Sequence, residues 1–340
     1  LNTNSVDVII RIRKMERTGK RNTVLRSNHE VFSINSITYI LVNDVLDING
    51  YTNQKTKKDT LFYKDKRIIY NNLFINPSIL DDNTFITIGD NYSEYDTEKT
   101  YRRINNLHVS QFLRIDFSET PLLSDSIRKL DCTILLTPSN NQSFAIEAEG
   151  TNSAGDFGIA GKFGYTHRNA FTGGEKFGLQ LRASNEAIGS IRNILSYSAW
   201  EIGGETTLQF PRLMFPFVDR DFQRNSNANT EFNLNYSYQT RPDFARTIAG
   251  IGLKYRWDSY RQSNMFHTLD FLDLSYVYLP PYSISDEFRN KYLNSSTLLK
   301  YSYEDHLILR TGYSFSYTSK LLQQRRNGFS AKAGIETAGN

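Results

Sequence analysis

The stretch Lys176-Phe177-Gly178-Leu179-Gln180-Leu181-Arg182-Ala183-Ser184 sets Phe177, Leu179, Leu181 and Ala183 at every second position, with Lys176, Gln180, Arg182 and Ser184 between them. A period of two puts each set on one face of a β-strand. The alternation returns at Leu307, Leu309, Tyr313, Phe315 and Tyr317 against Arg310, Ser314, Ser316 and Thr318. Working outward from these two stretches gives nine expected strands: Ser143–Thr151, Phe157–Thr166, Lys176–Ala183, Ala199–Phe210, Thr230–Gln239, Thr247–Trp257, Leu269–Leu279, Leu307–Thr318 and Phe329–Ile335.

Their polar faces carry Glu147, Glu149, Lys162, Arg182, Glu201, Glu205, Asn233, Asn235, Lys254, Arg256, Asp273, Arg310 and Lys332. Glycine is interspersed at 158, 164, 178, 203, 250, 252 and 312. Charge and glycine on one face suit a crowded, wet interior. The apolar faces end in aromatics such as Tyr165, Phe210, Trp257, Tyr276, Tyr278 and Tyr317, as interfacial belts do. The pattern therefore predicts an antiparallel barrel with hydrocarbon outside and water inside. The alternative is a soluble two-sheet sandwich, whose polar face would be bathed in solvent and would need no glycine.

Composition agrees. A chain of 340 residues can hold two or three domains. Its 22 Phe and 21 Tyr contribute to a 13% aromatic content that suits strands and interfacial girdles. Mean hydropathy is −0.50, and no run approaches the roughly eighteen apolar residues of a spanning helix. A helical membrane protein is thus excluded, whereas a barrel needs only alternate apolar residues. The net charge of +4 is too small and too evenly spread to indicate nucleic acid. A single cysteine, Cys132, excludes an internal disulfide framework and a cysteine-based zinc site, and it reads as a small apolar strand residue. The chain begins at Leu1 with no charged-then-apolar leader, so an upstream portion is expected.

Residues 1–27 hold a strand, Val6–Arg13, and a basic turn at Gly19, and read as the tail of a preceding small domain. Residues 28–140 read as a small α+β unit of order βααββ. It contains a strand Ser36–Val42, an inserted loop or hairpin around Gly50–Lys58, and a helix starting at Asn76–Pro77 that carries Ile79 and Leu80. A turn follows at Ile88–Asn91, then a helix capped by Ser93 with an apolar stripe of Tyr101, Ile104 and Leu107. Strands Gln111–Phe117 and Leu130–Thr137 complete the unit. Residues 141–340 hold the nine alternating strands.

Several motifs resemble those of BamA/TamA-type outer-membrane assembly proteins, a superfamily combining polypeptide-transport-associated (POTRA) domains with a surface-antigen barrel. Ile75-Asn76-Pro77, Gly89-Asp90-Asn91-Tyr92-Ser93, the helix through Glu98–Leu107 and Leu130-Asp131-Cys132 are similar to the last POTRA domain. Leu136-Thr137-Pro138, Gln142-Ser143 and the run from Glu147 to Gly155 resemble the first barrel strand and hairpin of the Bacteroidetes branch often called TamL. Residues 168–175 resemble its second hairpin turn. Phe210-Pro211-Arg212 with Phe215-Pro216-Phe217 resembles the turn after its fourth strand, and Tyr255-Arg256-Trp257 recurs late in its sixth. The resemblance implies a membrane all-β fold: the N-terminal half of a sixteen-stranded antiparallel outer-membrane β-barrel, preceded by a POTRA domain. The family's inward loop motif and terminal aromatic strand are absent, so an internal fragment is expected.

No enzyme constellation stands out. His108 and Ser110 lie two apart without a third group, and His167 and Asn169 read as turn residues. His29, His267 and His306 have no metal spacing, Asp44 to Gly50 lacks calcium-loop spacing, and the acidic groups at 81–82 and 219–221 read as solvated. No cofactor or metal is expected. The candidate site is a backbone edge formed by Phe144, Ala145, Ile146, Glu147, Ala148, Glu149 and Gly150, with Gly150 and Gly155 weakening pairing near the strand's end. From the residues this is either a templating edge or simply one more strand; the resemblance implies a lateral seam that pairs with incoming strands. Ser36–Val42 is a second possible edge, with a spacer role for its unit as the alternative.

The resulting expectation is a non-enzymatic assembly or translocation factor in the bacterial outer membrane, its N-terminal domain in the periplasm. Its partners would be membrane lipid, unfolded outer-membrane or surface proteins, and a periplasmic or inner-membrane protein bound through the POTRA domain. The alternative is a dedicated two-partner-type secretion pore or a passive channel.

Overall fold

A computed structural model of the chain describes residues 15–18, 24–27, 30–43, 59–120, 128–153, 156–188, 198–216, 218–259, 262–294, 300–301, 303–319 and 328–339. The expected strand Val6–Arg13, the Gly19 turn, the Asp44–Lys58 loop and His29 lie outside these residues. Just after the first of these, β1 (Met15–Thr18) and β2 (Val24–Ser27) pair antiparallel as a separate two-stranded sheet.

The α+β unit contains β3 (Phe32–Leu41), β4 (Asp59–Tyr63), β5 (Lys66–Tyr70), α1 (Pro77–Asp82), α2 (Glu94–Asn106), β6 (Ser110–Glu119) and β7 (Arg128–Pro138). Its sheet runs β4-β5-β3-β7-β6, with β3 parallel to both β5 and β7. The β4–β5 hairpin is an addition to the expected βααββ order. Its charged turn, with Lys64 at φ 53°, merges with the polar run before it and so hides the strands in the sequence. β3 is the central strand, paired on both sides, and therefore cannot offer the free edge expected along Ser36–Val42. The edges are β4 and β6.

The helices form where their signals stand. Asn76 caps α1 by accepting from the Ser78 amide ahead of Pro77, and Ser93 caps α2 by accepting from the Asp96 amide. Leu80, Ile104 and Leu107 pack with Ile37, Tyr39, Ile68, Cys132, Ile134 and Leu136 in one core. Tyr101, expected in this stripe, is 44% exposed, and Thr100 takes the buried position instead. Thr100 precedes Ile104 by one full turn, and its hydroxyl accepts from the Phe85 amide, which satisfies a polar group inside the core. Cys132 is buried as expected, and burial pushes its thiol up to about 12.

Asp81 is not merely solvated. Lys64 and Lys66 both bind its carboxylate, Lys66 at 2.6 Å. Burial alone would raise its pKa, but the hydrogen bonds from the two lysines hold it below the usual carboxylate value. The pair ties the β4–β5 hairpin to the end of α1.

The nine remaining strands form a single antiparallel sheet of nearest neighbours: β8 (Gln142–Ser153), β9 (Asp156–Arg168), β10 (Lys176–Ala187), β11 (Ser198–Phe210), β12 (Asn229–Thr240), β13 (Ala245–Ser259), β14 (Gln262–Tyr278), β15 (His306–Thr318) and β16 (Ser330–Gly339). Each expected strand is present, most of them a few residues longer, because pairing extends beyond the apolar alternation. The sheet is not closed: β8 and β16 are its two edges. A short helix, α3 (Arg220–Asn225), lies in the connection between β11 and β12.

The unit's stability can be read at its buried thiol, the chain's one cysteine. Ile104→Ala, which empties part of a fully packed site, is expected to cost about 3 kcal/mol, and Ser93→Ala about 1 kcal/mol. Both should speed maleimide labelling of Cys132 in urea, in that order. Asp81 supplies a pH signature. Its folded-state pKa is depressed, so its contribution is complete above the unfolded value and is lost as pH falls through the folded one, below about pH 4. The fall in urea-unfolding stability over that range, followed by circular dichroism, should shrink in Asp81→Asn.

Candidate functional site: an uncovered sheet edge above a cationic cleft

Register places the candidate edge in detail. Phe144 faces Tyr165, Ile146 faces Phe163, Ala148 faces Gly161 and Gly150 faces Ile159 across the β8–β9 pair. The two-residue pleat sets these on the apolar face and puts Ala145, Glu147 and Glu149 on the polar one. On the apolar face the Phe144 ring centroid lies 5.0 Å from Tyr165 and 6.3 Å from Phe163, while Phe144 and Ile146 remain 65% and 83% exposed. On the polar face Lys162 Nζ bonds Glu149 and lies 3.9 Å from Glu147. Ala145 rests against Gly164, where a Cβ would sit 3.5 Å from its own. Backbone pairing with β9 continues past Gly150 to Ser153 and Asp156. The β8 groups that point away from β9 have no neighbouring strand among the described residues.

The rest of the sheet repeats this division. Charged residues of the polar face pair across strands: Arg256 with Glu231 at 2.8 Å, Lys254 with Asp270 at 3.2 Å, and Arg310 Nε with Asp273 at 2.9 Å. Glycines make room for long neighbours, because a Cβ at Gly250 or Gly252 would collide with the amide oxygens of Asn235 or Asn233 directly opposite. On the apolar face Trp257 stacks on His267 at 5.2 Å, and His267 Nδ1 lies 2.7 Å from the Tyr313 hydroxyl. Sequence reading treated His267 as an isolated histidine. Its strand parity with Leu269 would have placed it on this face.

No catalytic set is assembled from the other candidates. His108 sits at φ 56° with Nδ1 2.7 Å from the Asn106 carbonyl, and Ser110 Oγ is buried without a partner, so no hydrogen bond joins the two. His167 lies within β9, and His306 begins β15. Asp219 precedes α3 and Asp221 lies in its first turn. Among the described residues no three His, Cys, Asp or Glu side chains converge on a metal-sized site.

Asn169 has a role beyond turn formation. At φ 65° it occupies the left-handed region, which Asn tolerates better than most residues. Its side chain donates to the Phe74 carbonyl at 2.5 Å and accepts from the Gly174 amide at 2.9 Å. With the Asn76 amide donating to the Thr172 carbonyl at 2.8 Å, this fastens the β9–β10 turn to the α+β unit. The β11–β12 connection makes a second attachment, in which Lys99 donates to Asn225, Arg103 to Ser226 and Asn227, and Arg224 to the Thr84 carbonyl.

Between these attachments lies a cleft of about 390 Å³. Arg168, Lys176 and Gln209 enter it from the polar face of the sheet, and Asn83, Arg103 and Asn106 from the α+β unit. Among the described residues no carboxylate lines it. Burial lowers the Arg103 pKa, Asp258 opposes that shift, and Arg103 Nε is buried with no hydrogen-bond partner.

No family model matches the sequence, and no curated protein does. Among solved structures, the chain is similar to BamA from Haemophilus ducreyi lacking POTRA domains 1–3, at 12% identity over 90% of this chain and 71% of that one, with a TM-score of 0.30. It is also similar to CdiB from Acinetobacter baumannii, at 9% identity over 96% and 67%, TM-score 0.47. For CdiB from Escherichia coli the figures are 8%, 92%, 69% and 0.33. None of the three superposes closely enough to bear on function.

The anchoring role of Asn169 is testable with Asn169→Gly, which keeps the left-handed backbone but removes both side-chain hydrogen bonds. The expected cost is about 2 kcal/mol, as for two buried hydrogen bonds. Hydrogen exchange should accelerate at the Asn76 and Gly174 amides and stay unchanged at the far ends of β12 and β13.

Proposed function

We propose that the chain belongs to a bacterial outer-membrane protein that inserts or translocates other polypeptides, with no catalytic chemistry of its own. In this reading the nine strands form part of a larger barrel, sixteen-stranded as the motif resemblance implies. The α+β unit is a periplasmic POTRA domain in the manner of the BamA/TamA-type proteins, and TamL is the branch its junction motifs suggest. Clients would be unfolded outer-membrane or surface proteins.

The observation that carries the reading is the division of the antiparallel sheet into an apolar face, with Phe144 65% and Ile146 83% exposed, and an opposite face of cross-strand ion pairs. Both residues stand on β8, which borders the sheet among the described residues. In hydrocarbon an unsatisfied amide or carbonyl costs roughly 4–8 kcal/mol, so a free edge at that depth strongly favours the next strand that can pair with it. Residues 144–150 would then template an incoming strand, with Glu147 and Glu149 held toward the aqueous side by Lys162.

The experiment uses the full chain carrying Ile146→Cys in a Cys132→Ser background, reconstituted in lipid. A nascent barrel client with single cysteines along its terminal strand should form disulfides at Ile146→Cys with a two-residue periodicity. Trapping at Thr206→Cys, on the same face but in mid-sheet, should be absent. Equal trapping at both sites, or at neither, defeats templating. Release of a single secreted client without any trapped strand supports the secretion-pore reading instead.

A further inference from the structure

The cleft beneath the polar face has a chemistry that the edge does not explain. Three cations, Arg103, Arg168 and Lys176, line it together with amide side chains from Asn83, Asn106, Gln209, Asn227 and Asn229. Among the described residues Arg168 and Lys176 form no ion pair, whereas Lys162, Lys254, Arg256 and Arg310 on the same face are each matched across strands. Glu231, one strand beyond Gln209, is already taken by Arg256 at 2.8 Å. Arg103 gives its terminal nitrogen to Ser226 and Asn227, which leaves a buried Nε donor unsatisfied. Retaining a partly desolvated cation with a spare donor is unfavourable unless something accepts from it.

We infer that this cleft binds carboxylate side chains of an extended, acidic polypeptide segment as it passes from the α+β unit onto the polar face of the sheet. The inference rests on the reading of the chain as a handler of unfolded polypeptides and names a chemical preference for it. Three features select peptide. The guanidinium forks suit carboxylates, the surrounding amides offer both donors and acceptors to a peptide backbone, and the volume of about 390 Å³ is that of a ligand-sized cleft. Position argues against lipid, because Arg168, Lys176 and Gln209 come from the polar face, opposite the exposed apolar side chains.

The test is fluorescence anisotropy with the full chain in detergent micelles and a labelled octapeptide of alternating Ser and Glu. Binding is expected, and a peptide with Gln for every Glu should bind at least tenfold more weakly, a comparison that requires no variant. Arg168→Gln with Lys176→Gln should weaken the acidic peptide at least tenfold and leave the Gln peptide unchanged. Arg168→Lys with Lys176→Arg should retain binding, and protection of Cys132 reports that each variant is folded. Equal binding of the two peptides, or of the double Gln variant and the parent, overturns the inference. So does displacement of the peptide by an equimolar amount of inorganic phosphate, which would make the cleft a phosphate or headgroup site. Disulfide trapping at the β8 edge is read separately, so loss of either result leaves the other interpretable.

Discussion

Ile146, Ile159, Ile202 and Ile335 stand 58–83% exposed on a sheet over most of whose apolar face the described residues place no second layer. In water such a surface would drive association, since apolar area is driven out of contact with water wherever geometry allows. One part of the face is covered by the chain itself. Leu213, Val218 and Phe222 of the β11–β12 connection pack on Tyr255, Leu253, Trp257 and Leu269. The remainder needs an apolar surrounding. That requirement fixes the strand alternation, sends charge to the opposite face, and makes any unpaired edge costly.

The polar face is organised by size as much as by charge. Asn235 and Asn233 lie over Gly250 and Gly252, and Thr207 leans over Gly178, so glycine appears where the opposite residue reaches across. Ion pairs join neighbouring strands at matching register, among them Lys162 with Glu149 and Arg256 with Glu231. Each contributes little if exposed. Together they set a face on which a slip of one residue would exchange every charge for an apolar side chain. The bulge near Asp270 in β14 is absorbed locally, and pairing resumes at Asp273 with Arg310.

Among the described residues, hydrogen bonds at two turns hold the α+β unit to the sheet. Asn169, Asn76, Lys99, Arg103 and Arg224 supply most of them. Polar attachments of this kind leave room between them, and the cationic cleft occupies that room.

Much of this was legible in the residues alone. The alternation at 176–184 and 307–317 determined nine antiparallel strands and their faces, because a period of two is a local property of the backbone. Asn76-Pro77 and Ser93 determined two helix starts for the same reason. What tertiary structure decided was everything set by partners distant in sequence. β3 became a central strand because β5 and β7 flank it, which removed the edge expected along Ser36–Val42. Asp81 became an ion-paired residue because the β4–β5 hairpin brings Lys64 and Lys66 to the end of α1. Arg103, Arg168 and Lys176 meet although 65 and 8 positions separate them in turn, since only folding of the unit onto the sheet brings a helix face and a strand turn together. Periodicity encodes which way a side chain points; which residue it meets depends on chain closure across long separations, and no local pattern records that.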